Sequence, residues 1–208
     1  NNPMPAYSIP EPETLLREIQ ASHERCRQFG VDPNDTRNLL QNRLTPEELT
    51  ARLEQNREFL EIASAQIGEL YQFVADAGFA VNIADNEGYI LHIIGDKPVL
   101  EELAAGNCCP GYRWTEKDVG TSVISLALAR EIPVQINDDE HFCRRGHGHT
   151  CSASPVFDPD NQLVGVIAMS GDAAKVHPHT LGMVITAARA IENQLRIQKT
   201  SKELKLHN

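Results

Sequence analysis

The sequence predicts an α+β protein, within the broad α/β class, in which an antiparallel sheet is flanked by helices. Two observations support this fold class. Two pairs of short apolar segments are each joined by a polar turn, which is typical of β-hairpins. Segments with helical periodicity precede and follow these hairpins, so long helices are expected toward both ends. The chain has 208 residues, enough for one domain with additional helices.

The expected elements follow in chain order. They are helices at 11–29 and 45–76, strands at 79–84 and 89–94, helices at 99–105 and 116–130, strands at 132–136, 151–157 and 163–170, and a helix from 178 to about 204. Thr45 and Glu48 form the pattern of a capping box, and Pro46 suits the first helical position. Pro133 indicates either that its strand lies at the edge of the sheet or that Pro133 stands at the start of the strand.

The second helix carries an apolar pattern with alternating steps of four and three residues. Its positions are Leu49, Leu53, Asn56, Leu60, Ala63, Ile67, Leu70 and Val74. This heptad pattern predicts self-association into a homodimer, with Asn56 fixing the register. The alternative is a helix packed on its own sheet. The chain is accordingly divided into an arm and helix (1–45), a linking or dimerisation helix (46–77), a core (78–176) and a terminal helix (177–208).

The composition excludes several function classes. With 19 Lys and Arg against 29 Asp and Glu, the net charge is −10, which disfavours direct nucleic-acid binding. No apolar run approaches the roughly 20 residues of a membrane span. No signal peptide is evident, so a cytoplasmic location is expected. The five cysteines do not suggest a secreted disulfide framework.

Several motifs together resemble a known family. They are Trp114-Thr-Glu-Lys-Asp-Val-Gly120-Thr121-Ser122, Glu140-His141-Phe142, Cys151-Ser-Ala-Ser-Pro155, Gly165-Val-Ile-Ala-Met-Ser170, His177-Pro178-His179 and the upstream Ser22-His-Glu-Arg25-Cys26. In this order they resemble the GAF sensor domains of acetoin-regulator-like, sigma-54-dependent transcriptional activators. The resemblance covers residues 22–195 and implies a GAF-like antiparallel sheet.

The resemblance also implies a role. Such a domain binds a small-molecule effector and signals to ATPase and DNA-binding domains of the same full-length protein. The sequence itself contains no Gly-x-x-x-x-Gly-Lys-Ser/Thr phosphate-binding loop, and no enzymatic activity is expected of it.

A ligand pocket is expected between the sheet and the segments at 106–150. The candidate ligand-binding residues are Trp114, Gly120, Thr121, Ser122, His141, Phe142 and Cys151. Together they would provide an apolar surface with a few polar groups, which suits a small neutral or weakly anionic metabolite. The alternative is that Trp114 and Phe142 are core residues and that Gly120 is a packing glycine.

A second candidate site uses thiol and imidazole groups. Cys108, Cys109, Cys143, His147 and Cys151 are candidate metal ligands, and some of them depart from the family pattern. Zinc or an iron–sulfur cluster would use such ligands, although the ligand-binding hypothesis requires no cofactor. The same thiols leave open a redox sensor or a thiol reductase, because a thiolate beside Arg144, Arg145 or His147 would be nucleophilic.

Overall fold

A five-stranded sheet lies at the centre of the described part of the chain, which in this computed structural model is residues 9–34 and 42–208. Its strands are β1 (Phe79–Asp85), β2 (Ile90–Gly95), β3 (Val134–Asn137), β4 (His149–Phe157) and β5 (Leu163–Asp172). They are ordered β2-β1-β5-β4-β3, and every neighbouring pair is antiparallel. The predicted antiparallel α+β fold is confirmed, and the strand after Pro133 lies at a sheet edge.

The helices cover both faces of this sheet. Within the described residues they are α1 (Pro12–Gln28), α2 (Pro46–Gln55), α3 (Arg57–Gln72), α4 (Lys97–Ala105), α5 (Glu116–Val119), α6 (Val123–Arg130) and α7 (Pro178–Leu206). Short 3-10 turns occur at Asp138–Glu140, Arg144–Gly146 and Ala173–Lys175. No helix in 9–34 or 42–208 is both long and apolar enough to span a membrane.

Helices α3 and α7 pack together on one face of the sheet. The apolar stripe of α7 is buried there, as Leu181, Ile185, Ala188, Ile191 and Leu195. The opposite face is covered by α6 together with Ile19 of α1, and these residues form a second apolar cluster. Burial on both faces explains why β1 is buried along its whole length rather than at alternate residues.

The helix expected over 45–76 is two helices. The capping box of Thr45 and Glu48 forms as predicted, but α2 ends at Gln55 because Asn56 leaves the helical conformation (φ −103°, ψ 16°) and its Nδ2 donates to the Arg52 carbonyl, 2.8 Å away. Asparagine side chains compete with the helix for backbone hydrogen bonds. The prediction of one continuous helix is therefore wrong.

The structure also changes the interpretation of the heptad pattern. Ala63, Ile67, Leu70 and Val74 belong to the core against the sheet, with Phe59 and Ile62 beside them. A helix that packs on a sheet shows nearly the same spacing of apolar residues as a coiled coil. The second half of the heptad pattern, from Ala63 to Val74, therefore packs on the chain's own sheet, which is the alternative to self-association.

The helix expected over 116–130 is also interrupted. Gly120 has φ +72°, which ends α5, and a Cβ atom at this position would lie 2.8 Å from Cδ1 of Phe142. Ser122 then caps α6 by accepting the Ser125 amide hydrogen at 3.2 Å. Of the predicted arm and helix (1–45), residues 1–8 and 35–41 lie outside the described residues.

Candidate ligand-binding site

A cavity of about 80 Å³ lies between the sheet and the segments that follow α4 and β3. The sheet contributes Asn82, Cys151, Ala168 and Ser170 to its wall. The other wall residues, of which His149 is the first residue of β4, are Glu102, Leu103, Gly106, Cys108, Trp114, Val119, Thr121, Ser122, Val123, Ile124, His141, Cys143, Arg145, Gly146 and His149. The wall is mainly apolar, with a few polar groups, as in most sites for small molecules.

Five of the seven predicted ligand-binding residues line this cavity. They are Trp114, Thr121, Ser122, His141 and Cys151. Gly120 and Phe142 are not among the lining residues, and they pack against each other instead. The packing alternative considered for Gly120 and Phe142 therefore describes them better.

Backbone and side-chain hydrogen bonds hold Trp114 in the wall. Its amide donates to the Gly88 carbonyl at 2.8 Å, and its indole Nε1 donates to the Asn107 carbonyl at 3.2 Å. The first bond ties the residue to the turn of the β1–β2 hairpin. Since the indole donor is already used, Trp114 offers the cavity an aromatic surface rather than a hydrogen bond.

His141 is a neutral polar group in the wall. Its Nδ1 lies 2.9 Å from the Asp138 carbonyl. A carbonyl oxygen only accepts, so Nδ1 carries the proton and Nε2 keeps its lone pair. Burial lowers the pKa of this imidazole to about 4. At neutral pH His141 therefore contributes a hydrogen-bond acceptor without adding charge.

The predicted metal-binding set is not assembled. Cys108, Cys143 and Cys151 line the cavity, but Cys109 and His147 do not. Among residues 9–34 and 42–208, no three His, Cys, Asp or Glu side chains are arranged to hold a metal ion. The metal hypothesis was based on thiol and imidazole groups that depart in part from the family pattern, and the fold leaves Cys109 and His147 out of the cavity wall.

The surroundings of these thiols do not activate them as nucleophiles. Burial raises the pKa of Cys108, Cys143 and Cys151, the last to about 11. A buried thiol with a raised pKa stays protonated at neutral pH, and a protonated thiol is a poor nucleophile. These cysteines therefore act as small apolar wall groups.

Sequence reasoning missed two polar groups in the wall, Asn82 and Arg145. Asn82 is only 2% exposed, and its Oδ1 is buried without a hydrogen-bond partner. Both terminal nitrogens of Arg145, Nη1 and Nη2, are also buried without a partner. A polar residue within the apolar strand Val81–Ile83 was a usable signal for Asn82. No local signal separated Arg145 from the neighbouring Arg144.

A buried polar network connects α1 to this cavity. Glu116 accepts hydrogen bonds from Nε of Arg25 at 3.0 Å and from Oγ of Ser22 at 2.5 Å. Oγ of Ser22 also lies 2.7 Å from Oγ1 of Thr121, which lines the cavity. Because the Ser22 proton is directed to Glu116, the Thr121 hydroxyl donates to Ser22. The upstream motif and the Trp114 motif thus meet in one hydrogen-bonded chain.

A carboxylate and an imidazole meet at the side of the cavity formed by α4. Nε2 of His149 lies 3.1 Å from Oε1 of Glu102. Both residues line the cavity, and the Glu102 side chain is mostly exposed. The negative charge nearest the cavity is therefore both solvated and partnered.

Comparison with known proteins gives matches over most of the chain. The GAF domain family matches residues 58–195. The "Signal-transduction and transcriptional-control protein" of Clostridium beijerinckii is 34% identical over 188 residues, 89% of this chain and 29% of that protein. The "Acetoin dehydrogenase operon transcriptional activator AcoR" of Bacillus subtilis is 32% identical over 192 residues, 92% of this chain and 31% of that protein. The chain thus spans less than a third of either relative.

A solved structure shows the same fold. It is the E. coli DhaR(N)–DhaL complex, which superposes with a TM-score of 0.87 at 23% sequence identity, covering 91% of this chain and 64% of that chain.

Proposed function

This chain belongs to the GAF domain family, and from that premise we propose that it is the ligand-sensing part of a cytoplasmic, sigma-54-dependent transcriptional activator. The observation that carries the proposal is the cavity of about 80 Å³ whose wall contains buried polar groups without partners. A binding site leaves such groups for its ligand to satisfy, whereas a finished core satisfies them internally. In this proposal the effector is a small metabolite, and the chain performs no catalysis.

The polar network supplies a route by which the cavity affects the rest of the chain. Thr121 contacts both the cavity and Ser22, so a ligand that repositions the Thr121 hydroxyl changes the docking of α1. On the other face of the sheet, α7 packs against α3 and β4 and continues to Leu206. Binding would shift the population between two arrangements of these helices, which the ATPase and DNA-binding domains of the full-length regulator would read.

Filling the cavity is expected to abolish effector binding. Ala168 is buried on β5 and lines the cavity, so Ala168→Leu places three additional carbon atoms in the ligand's space. The measurement is a thermal-shift screen of the chain with small alcohols, ketones and acids. A ligand present at 100 times its Kd stabilises by about 2.7 kcal/mol, which is readily detected. A compound that stabilises the native chain in this screen should leave the melting temperature of Ala168→Leu unchanged.

Ala65→Leu, on the exposed side of α3, is the control and should respond like the native chain. If no compound stabilises the native chain, or if Ala168→Leu binds the hit normally, this cavity is not the effector site.

The proposal includes a homodimer formed through α3 and α7. Phe73, at the C-terminal end of α3, is 83% exposed beside a groove lined by Leu70, Met183 and Ala187. The small residues in this groove would allow the helices of two copies to approach each other closely. A two-fold contact would insert Phe73 of each copy into the groove of the other, because such an interface uses the same surface twice.

Phe73→Asp is expected to convert the dimer to a monomer, since it places a charge in an apolar contact. The measurement is the mass in solution by light scattering across a dilution series. Phe29→Asp, which changes an exposed phenylalanine next to α1, should leave the mass unchanged. A monomeric native chain, or a dimeric Phe73→Asp variant, would contradict this assignment of the interface.

A further inference from the structure

The interior of the cavity contains one permanent charge. Arg145 lines the cavity, and its Nη1 and Nη2 are buried without a hydrogen-bond partner. Other arginines that face inward have carboxylate partners: Arg25 binds Glu116, Arg52 binds Asp85, and Arg113 binds Asp118. A buried guanidinium without a partner is costly, so folding alone does not explain Arg145.

The surroundings of Arg145 do not neutralise it. Its guanidinium carbon lies 5.8 Å from the centre of the Trp114 ring, and this contact leaves the in-plane N–H donors unused. His141 is neutral, and the thiols of Cys108 and Cys143 stay protonated because burial raises their pKa. Glu102 is mostly exposed and is paired with His149. Among the described residues, the buried guanidinium of Arg145 therefore has no buried counter-charge beside it and should attract an anion.

The geometry of the unused donors selects the type of anion. Two terminal nitrogens of one planar guanidinium match the two oxygens of a carboxylate in a bidentate pair. Burial lowers the pKa of Arg145 from its usual value, but a guanidinium remains charged at neutral pH. A ligand carboxylate would restore the solvation that burial removes.

Asn82 adds a second requirement. Its buried Oδ1 is an acceptor without a partner, so the ligand should bring a donor to β1. A hydroxyl meets this requirement without introducing a second charge. The remaining wall, which includes Leu103, Ile124 and Ala168, is apolar. A volume of about 80 Å³ has room for roughly five to eight water-sized groups.

We propose that the cavity binds a short-chain hydroxycarboxylate, whose carboxylate pairs with Nη1 and Nη2 of Arg145 and whose hydroxyl donates to Oδ1 of Asn82. This inference rests on the proposed function, because it names the effector class of the same cavity. In this inference Arg145 selects ligands that carry a negative charge, and Asn82 selects ligands that carry a hydroxyl.

The experiment compares lactate and 2-hydroxybutyrate with lactamide, the uncharged isostere of lactate, and with inorganic phosphate. Binding to the native chain is measured by calorimetry and thermal shift. At least one hydroxycarboxylate should bind, with lactamide at least 10-fold weaker. Arg145→Gln should weaken carboxylate binding on the order of 100-fold, the range for charge-assisted hydrogen bonds, and should remove the preference over lactamide.

Two controls separate binding from folding. Arg144→Gln changes the exposed arginine next in sequence and should bind like the native chain. The ligand-free Arg145→Gln variant should melt no lower than the native chain, because the substitution removes an unpartnered buried charge. A structural role for Arg145 predicts the opposite, a lower melting temperature.

The outcomes separate this inference from the proposed function. If lactamide or another neutral compound binds as tightly as the carboxylates, the cavity is a sensor site but the assignment to carboxylates is wrong. The same conclusion follows if Arg145→Gln binds carboxylates normally, or if phosphate binds while neither hydroxycarboxylate does. If no carboxylate binds, this inference fails whether or not the wider screen finds another effector.

Discussion

Replacing Glu116 by alanine is expected to lower the free energy of unfolding by about 3 kcal/mol, toward the lower end of the range for breaking a buried ion pair. Glu116 is buried and accepts from both Arg25 and Ser22. The variant would leave the Arg25 charge and the Ser22 hydroxyl without their acceptor. Since Arg25 keeps some contact with solvent, its side chain being 31% exposed, the cost should not reach the upper end of the range.

The chain provides a matched control for this variant. Glu24 and Arg27 form an ion pair on the same helix, also at 3.0 Å, but both side chains are 60% exposed. Glu24→Ala should therefore cost less than about 1 kcal/mol, as is usual for solvent-exposed pairs. Urea denaturation measures both values. Equal costs for Glu116→Ala and Glu24→Ala would show that the buried network does not stabilise the docking of α1.

Glu116→Gln tests how much of the stabilisation comes from the negative charge of Glu116. Glutamine can still accept from Ser22 but lacks the charge that attracts Arg25, so an intermediate loss is expected. Hydrogen exchange should increase over Pro12–Gln28 in Glu116→Ala before it increases in the sheet, because local opening precedes global unfolding where contacts have been removed.

Local sequence signals predicted the elements of this fold well. The β1–β2 hairpin and the capping box at Thr45 depend on residues close in sequence, and both are present. The two helix interruptions had weaker local signals. Asn56 occupied a position that a heptad pattern tolerates, and the side chain that leaves no room for a Cβ atom at Gly120, Phe142, lies 22 positions away in sequence.

The candidate site was predicted only in part, and the reason is physical. Trp114, Thr121 and Ser122 were identified because a family motif marks them, and they line the cavity. Arg145 was missed because its importance comes from missing partners, which depend on the packing of several distant segments. The metal hypothesis was based on residue types that depart from the family pattern, but residue type alone does not fix the ligand geometry, and no three such side chains among the described residues are arranged to hold a metal ion.

Glu192 is expected to make the free energy of unfolding of this chain depend on pH, and the substitution Glu192→Gln should remove that dependence. The residue is 2% exposed on α7, where Oε2 accepts the Phe157 amide hydrogen at 2.8 Å and Oε1 has no partner. Burial raises the pKa of this carboxyl from 4.5 to about 7, although the hydrogen bond from Phe157 and the charge of Arg196 oppose the shift. The folded chain therefore holds a proton that the unfolded chain releases between these two pH values.

The sign of the effect follows from this difference in proton binding. Where the folded state binds more protons, stability falls as the pH rises, so the contribution of Glu192 is fully present below about pH 4.5 and is lost as the pH passes 7. Between pH 4.5 and 8 the loss amounts to about 3 kcal/mol, at 1.36 kcal/mol for each pKa unit. Glutamine carries no titrating proton, so the stability of Glu192→Gln relative to the native chain should increase by about this amount over the same range.

Urea denaturation at several pH values from 4.5 to 8 measures this difference, and comparing the two chains at each pH cancels the titration of all other groups. Glu203→Gln, an exposed substitution on the same helix, controls for the change of residue type. A difference between Glu192→Gln and the native chain that stays constant with pH would contradict the prediction. A rising difference would show that α7 is held against β4 by a carboxyl that favours its neutral form, so that this helix packs less tightly above neutral pH than below it.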